Sequence, residues 1–227
     1  MNLLSADDLG AILLSLKVAS LATVAALPVA VAVAYVIARY RFLGRSLLDA
    51  VTHIPLVLPP VATGYVLLVL FGRQGPIGAL LAKAGIVLAF HWTGAALAGA
   101  VMAFPLMVRP IRLSIEAIDS EVEDAARTLG ASPLDRFLRV TLPLASPGLI
   151  SGAVLGFARA LGEFGATITF VAAIPGETLT LPSDIYLATQ SPGEETRALL
   201  LCGISLVIAL GAIMLSDRVS VRMSARA

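Results

Sequence analysis

Two charged side chains, Arg159 and Glu163, stand four residues apart inside a long apolar run. On a helix that spacing puts both on one face, within reach of each other. Charges inside a membrane face the bundle interior or water. The pair therefore either fixes its own helix or sits near the cytoplasmic mouth of a transport path. Pro59-Pro60 interrupts another apolar run and is followed by Thr63 and Gly64. Proline frees backbone carbonyls and kinks a membrane helix, so this is either a packing kink or a bend lining a path. Pro59, Pro60, Thr63, Arg159, Glu163 and Thr167 are the candidate path residues, with Thr169 a further uncharged lining group.

Other chemistry is sparse. His53 and His91 are isolated, lack the spacing of metal ligands and read as structural or interfacial; no metal site is expected. Trp92 beside His91 suits a membrane interface. Cys202 is the single cysteine, which excludes an intrachain disulfide, and its apolar surroundings predict a buried, inert thiol. No set of nucleophiles or bases converges, so an enzyme is not expected. The chain holds no Gly-x-x-x-x-Gly-Lys-Ser/Thr loop, so ATP hydrolysis by that route is excluded.

The elements that must position these residues follow from composition. Of 227 residues, 58% are hydrophobic and 14% charged, against about 45–50% and about 25% in soluble domains. A net charge of +1 gives no reason to expect a nucleic-acid partner. Some 20 apolar residues at about 1.5 Å each cross a hydrocarbon core about 30 Å thick. Five apolar stretches qualify: about Lys17–Ala38 (starting as early as Gly10), Ala50–Gly72, Ala84–Val108, Leu144–Ala173 and Ala198–Ser216. The loop Arg73–Lys83 has room for a short surface helix. The class is an all-α integral membrane protein of about five transmembrane helices, residues 1–227 forming one domain. Asp7 and Asp8, with no Lys or Arg before Lys17, argue against a secretory signal and for a permanent first helix.

Lys and Arg counts set the orientation. One set of connections holds Arg39, Arg41, Arg45, Arg109, Arg112, Arg127, Arg136, Arg139, Arg218, Arg222 and Arg226; the other holds Arg73, Lys83 and Arg197. The expectation is an N-terminus outside, with segment 109–143 and the C-terminus in the cytoplasm.

Within that segment, Ser120-Glu121-Val122-Glu123 fits a capping box. Val122, Ala125, Ala126 and Leu129 follow at helical spacing and Gly130 stops the helix. Ser132-Pro133-Leu134-Asp135 restarts it, with Leu134, Phe137, Leu138 and Thr141 on the next face, and Pro143 closes it. The result is two short helices with a sharp turn between the third and fourth spans. Their apolar face must pack on the chain's own helices, on membrane lipid as a surface connector, or on a partner.

Asp124-Ala125-Ala126, three residues, Gly130, nine residues, then Val140-Thr141-Leu142-Pro143 resembles the cytoplasmic signature of ABC-importer permeases. That pattern reads Glu-Ala-Ala, three residues, Gly, nine residues, Ile, any residue, Leu-Pro; Asp124 and Val140 depart from it conservatively. The resemblance implies a type I permease fold and a coupling element, 109–143, that docks on a separate ABC ATPase. Asp124, Ala125, Ala126, Gly130, Phe137, Leu142 and Pro143 are the implied docking residues, with Phe137 as an aromatic anchor. It also implies two ATPase copies, an extracytoplasmic binding protein and a second copy of this chain. No cofactor is implied here; ATP and Mg belong to the ATPase. Leu161-Gly162-Glu163-Phe164-Gly165-Ala166-Thr167, Ile174-Pro175-Gly176-Glu177-Thr178 and Leu181-Pro182 resemble molybdate/tungstate permeases of the inner membrane. Molybdate is the implied cargo, with a sulfate or thiosulfate permease as the alternative. A stand-alone channel or secondary carrier is a further alternative, against which stand the lack of an internal repeat and of clustered membrane acids.

Overall fold

The computed structural model describes residues 5–224, and no strand occurs among them. The first stretch becomes α1, Ala6–Arg39. It starts earlier than the apolar run because Ser5 and Asp8 cap it reciprocally: Asp8 N–H donates to Ser5 Oγ at 3.1 Å, and Ser5 N–H to Asp8 Oδ2 at 2.6 Å. α1 buries a row of small residues four apart, Ala22, Ala26, Ala30 and Ala34.

Against α1 lie α5 (Trp92–Glu116) and α9 (Ser146–Leu161). The α9 row is Gly148, Gly152, Gly156 and Ala160, all buried. A Cβ at Gly152 would stand 2.9 Å from the Met107 carbonyl oxygen, and one at Gly156 2.7 Å from Met107 Sδ. Small residues therefore set how closely these backbones approach, the usual means of helix association where lipid removes the hydrophobic drive. Met107, Ile111 and Leu161 fill the shared core with the α1 alanines.

The second stretch is not a kinked helix. It divides into α2 (Arg45–Val57) and α3 (Pro60–Phe71), bent 111° apart. Leu58 is extended at φ −72°, ψ 142°, as a residue before proline prefers, and Pro60 takes the first position of α3, where its missing N–H costs nothing. The loop contains the short α4, Gly78–Lys83. The third helix starts at Trp92, later than expected, because the His91 ring accepts from Thr93 N–H and caps it. It continues to Glu116, so Arg109 and Arg112 lie on its last turns.

Segment 109–143 closes with α6 (Ser120–Thr128), α7 (Pro133–Arg136), a π-helical turn over Phe137–Thr141, and α8 (Leu142–Leu144). The fourth stretch breaks after Leu161 and resumes as α10, Gly165–Val171. Then come α11 (Leu181–Gln190) and α12 (Glu195–Ser224). Cys202 is exposed on α12, contrary to expectation, since α12 packs along one side only. Arg226 lies outside the described residues.

Among the described residues, three helices are long and apolar enough to cross a membrane, and the two bent pairs raise the number to as many as five. α1, α5 and α12 begin at one end of the molecule. There Lys17 Nζ lies 3.5 Å from the Trp92 ring centroid, and Arg197 Nη2 meets Asp8 Oδ1 at 2.6 Å. Segment 109–143 occupies the opposite end, beside Arg39.

Candidate functional site

Segment 109–143 is built as two short helices with a sharp turn. Asp119, not Ser120, caps α6: its Oδ1 accepts from Glu121 N–H at 3.0 Å. Glu123 does not reach back to the cap, because its carboxylate finds the Arg39 guanidinium at 2.9 Å. Gly130 turns the chain at φ +84°, a left-handed conformation that disfavours any side chain. Its N–H donates to Arg127 O, and Ala131 N–H to Ala126 O, which closes the helix end. Ser132 caps α7, accepting from Asp135 N–H at 3.1 Å and donating to Asp135 Oδ2 at 2.6 Å. That hydroxyl holds the Asp135 carboxyl below its ordinary value.

The expected docking residues divide. Asp124, Ala125, Gly130 and Pro143 are exposed and Ala126 is half-buried. Phe137 and Leu142 turn inward onto the α1–α5–α9 core, and the Phe137 ring meets Tyr35 edge-on at 4.9 Å between centroids. The outward apolar groups are Val122, Leu129, Leu134 and Leu138, with Leu129 88% exposed. Their helical spacing was readable in the sequence; which side of each helix faced out was not.

The candidate path residues come together where the two broken spans meet. α3 lies on α10, with Pro60 against Gly165 and Gly64 against Ala166. Thr63 and Thr167 are buried here, and the Thr63 hydroxyl has no hydrogen-bond partner. Pro59 stands just ahead, as the cap of α3. Arg159 and Glu163 do pair, Nη1 to Oε2 at 2.5 Å, and Glu163 Oε1 accepts from Ala166 N–H at 2.7 Å. Glu163 thus holds the start of α10 while neutralising Arg159. The pair is not at the end that carries α6 and α7. Ala160 packs beside Gly99, and from Gly99 to Glu116 α5 runs about 25 Å toward that end.

At the other end, sequence reasoning missed a cluster: Arg197 donates to Asp8 Oδ1, Asp184 Oδ1 and Glu194 Oε2, tying α1, α11 and α12. Burial pushes the Asp184 carboxyl up to about 6, against the pull of Arg197. Only an Arg far along the chain reveals this cluster, and no local spacing announces it. His53 is held by its own helix, Nδ1 lying 2.7 Å from Asp49 O.

Broken spans around a small-residue core, with a capped two-helix element at one end, define an integral membrane protein of the kind that serves transport. The chain belongs to the family described as binding-protein-dependent transport system inner membrane component, whose model matches residues 26–223. It is thus a multi-pass inner-membrane component of a binding-protein-dependent transport system. It is 55% identical over 208 residues to the molybdenum transport system permease protein ModB of Escherichia coli strain K12, covering 91% of each chain. The ModB of Haemophilus influenzae is 51% identical over 217 residues, covering 95% of each. Among solved structures, a bacterial ABC transporter involved in the import of alginate has the same fold, with a TM-score of 0.77 over 96% of this chain and 80% of that one, at 16% identity.

Proposed function

We propose that this chain is the permease subunit of an ABC importer that carries molybdate into the cytoplasm. ATP is hydrolysed on a separate subunit. The observation that carries the cargo assignment is the 55% identity, over 91% of both chains, to a molybdenum permease. The mechanical part rests on the exposed element around Gly130. Asp124, Ala125, Ala126, Gly130 and Pro143, joined by Leu129, Leu134 and Leu138, form the surface offered to the ATPase. Phe137 and Leu142 support it from within.

In this reading a second copy of the chain completes the path. α3 exposes Val61, Tyr65 and Val69, and one chain walls its threonine-lined contact on one side only. Two permeases then engage two ATPases, and a binding protein delivers the oxyanion at the end marked by Arg197. The excess of arginines supports placing the coupling segment and the C-terminus in the cytoplasm and the N-terminus outside. Pro59, Pro60, Thr63 and Thr167 line the moving joint, and Arg159–Glu163 keeps it in register.

The test is reconstitution with the partner ATPase in proteoliposomes. Hydrolysis stimulated by molybdate-loaded binding protein, with molybdate uptake, is expected. Stimulation by sulfate-loaded protein alone would change the cargo. Failure to associate with an ATPase would overturn the reading.

A further inference from the structure

One carboxylate oxygen ties α6 and the end of the π turn to the last residue of the first helix. Glu123 Oε1 accepts from Arg39 Nε at 3.1 Å and from Thr141 Oγ1 at 2.8 Å, and lies 2.9 Å from Arg39 Nη2 as an ion pair. Arg39 is the last residue of α1; Glu123 lies in α6; Thr141 ends the π turn that leads back to the membrane. Arg39 Nη2 also donates to Ile118 O, just ahead of α6, at 3.3 Å. Both charged side chains are largely shielded, 18% and 16% exposed. Beside them Tyr35 of α1 meets Phe137 edge-on.

A loop joined only to α5 and α9 could swing without moving α1. Charge-assisted, partly desolvated bonds are stronger and more directional than surface ion pairs. Two of them converging on one oxygen fix α6 relative to both α1 and the chain that returns to the membrane. Glu123 itself points away from the outward surface that carries Leu129 and Leu134.

We propose that Glu123 is a positioning residue. With Arg39 and Thr141 it transmits displacement of the docking helices to α1, and so converts ATPase motion into opening of the path. The proposal rests on the reading that segment 109–143 docks the ATPase. It predicts that breaking the junction leaves docking and ATP hydrolysis in place and lowers uptake per ATP.

The experiment compares wild type, Glu123→Ala, Arg39→Ala, the double variant and Glu123→Gln, each co-purified with the ATPase and reconstituted with molybdate-loaded binding protein. Uptake per ATP hydrolysed is the readout. Each single alanine variant is expected to lower it about ten-fold, and the double variant no further, since both remove one shared interaction. Glu123→Gln keeps an oxygen for Thr141 and Arg39 and recovers part of the loss; being nearly isosteric, it also keeps the test open if an alanine variant fails to fold. Unchanged uptake per ATP, losses that multiply in the double variant, or loss of co-purification in Glu123→Gln would each overturn the proposal. A wild-type complex that neither associates nor transports would overturn the functional reading itself, and is told apart because the wild type fails too.

Discussion

Gly64 of α3 faces Ala166 of α10 so closely that a Cβ on Gly64 would lie 2.5 Å from the Ala166 carbonyl oxygen and 2.9 Å from Thr169 Cβ. Backbone, not a flexible side chain, opposes it. Gly64→Ala must therefore push the two broken spans apart, at a cost of about 1–3 kcal/mol. Uptake should fall sharply, and the thermal midpoint in detergent should drop. Gly10→Ala is the control: nothing lies within 4 Å of its Cβ, and alanine is the better helix former by about 1 kcal/mol. A Gly64→Ala protein that transports normally would show that α3 and α10 do not need this contact.

The proposed docking surface predicts a separation of effects. Leu129→Ser removes an apolar group that is 88% exposed, so the isolated permease should keep its stability while ATPase co-purification weakens. Phe137→Ala removes a ring packed on Tyr35, so the permease itself should lose about 1–3 kcal/mol. Co-purification and thermal unfolding, run on both variants, read the two axes. Equal loss of association with no loss of stability in Phe137→Ala would return Phe137 to the outward surface.

Much of this organisation was legible in advance, for physical reasons. Long apolar runs report spans, because lipid demands them. Gly130, Ser132 and Pro133 are local turn and cap chemistry, and the structure places a left-handed glycine, a capping serine and a first-turn proline there. What local pattern could not supply was the choice between partners far apart in sequence. Glu123 fits a capping box, yet it serves Arg39. Phe137 shares a helical face with Leu138, yet only Leu138 stays outside. The run about Pro59 carries no charge and the run about Gly162 only Arg159 and Glu163, so hydropathy reads each as one span. The breaks depend on missing N–H donors and on the contact of α3 with α10.

Gly130→Trp should abolish uptake while membrane insertion stays normal. Nothing lies within 4 Å of a Cβ at Gly130, so the chain has room. The left-handed backbone costs a non-glycine residue about 1–2 kcal/mol, and the indole would project among the outward leucines. Uptake and membrane-fraction yield, measured together, test this; normal uptake by a stably inserted variant would remove Gly130 from the docking surface.

Glu163→Ala should be far more damaging than Arg159→Ala. Glu163 is 3% exposed and serves both Arg159 and the Ala166 N–H. Its loss strands a cation and a buried donor together, a situation that costs about 3–5 kcal/mol. Arg159 has a side chain 25% exposed, so water can take its place more easily. Thermal midpoints of the two variants decide the matter; equal shifts would mean that Glu163 acts only as the partner of Arg159.

The Asp184 cluster carries a pH signature. Burial raises this carboxyl from an ordinary 3.8 to about 6, so between those values the folded protein holds a proton that the unfolded chain has released. Stability from this group is therefore full below pH 3.8 and is lost as pH rises toward 6. Asp184→Asn stays neutral at every pH and resembles the protonated acid. The thermal midpoint of Asp184→Asn relative to wild type should thus climb as pH rises through this window and level off above it. Differential unfolding at a series of pH values measures that difference directly. A constant difference would mean that Arg197 keeps Asp184 ionised throughout, with Asp8 and Glu194 left to share what remains of its charge.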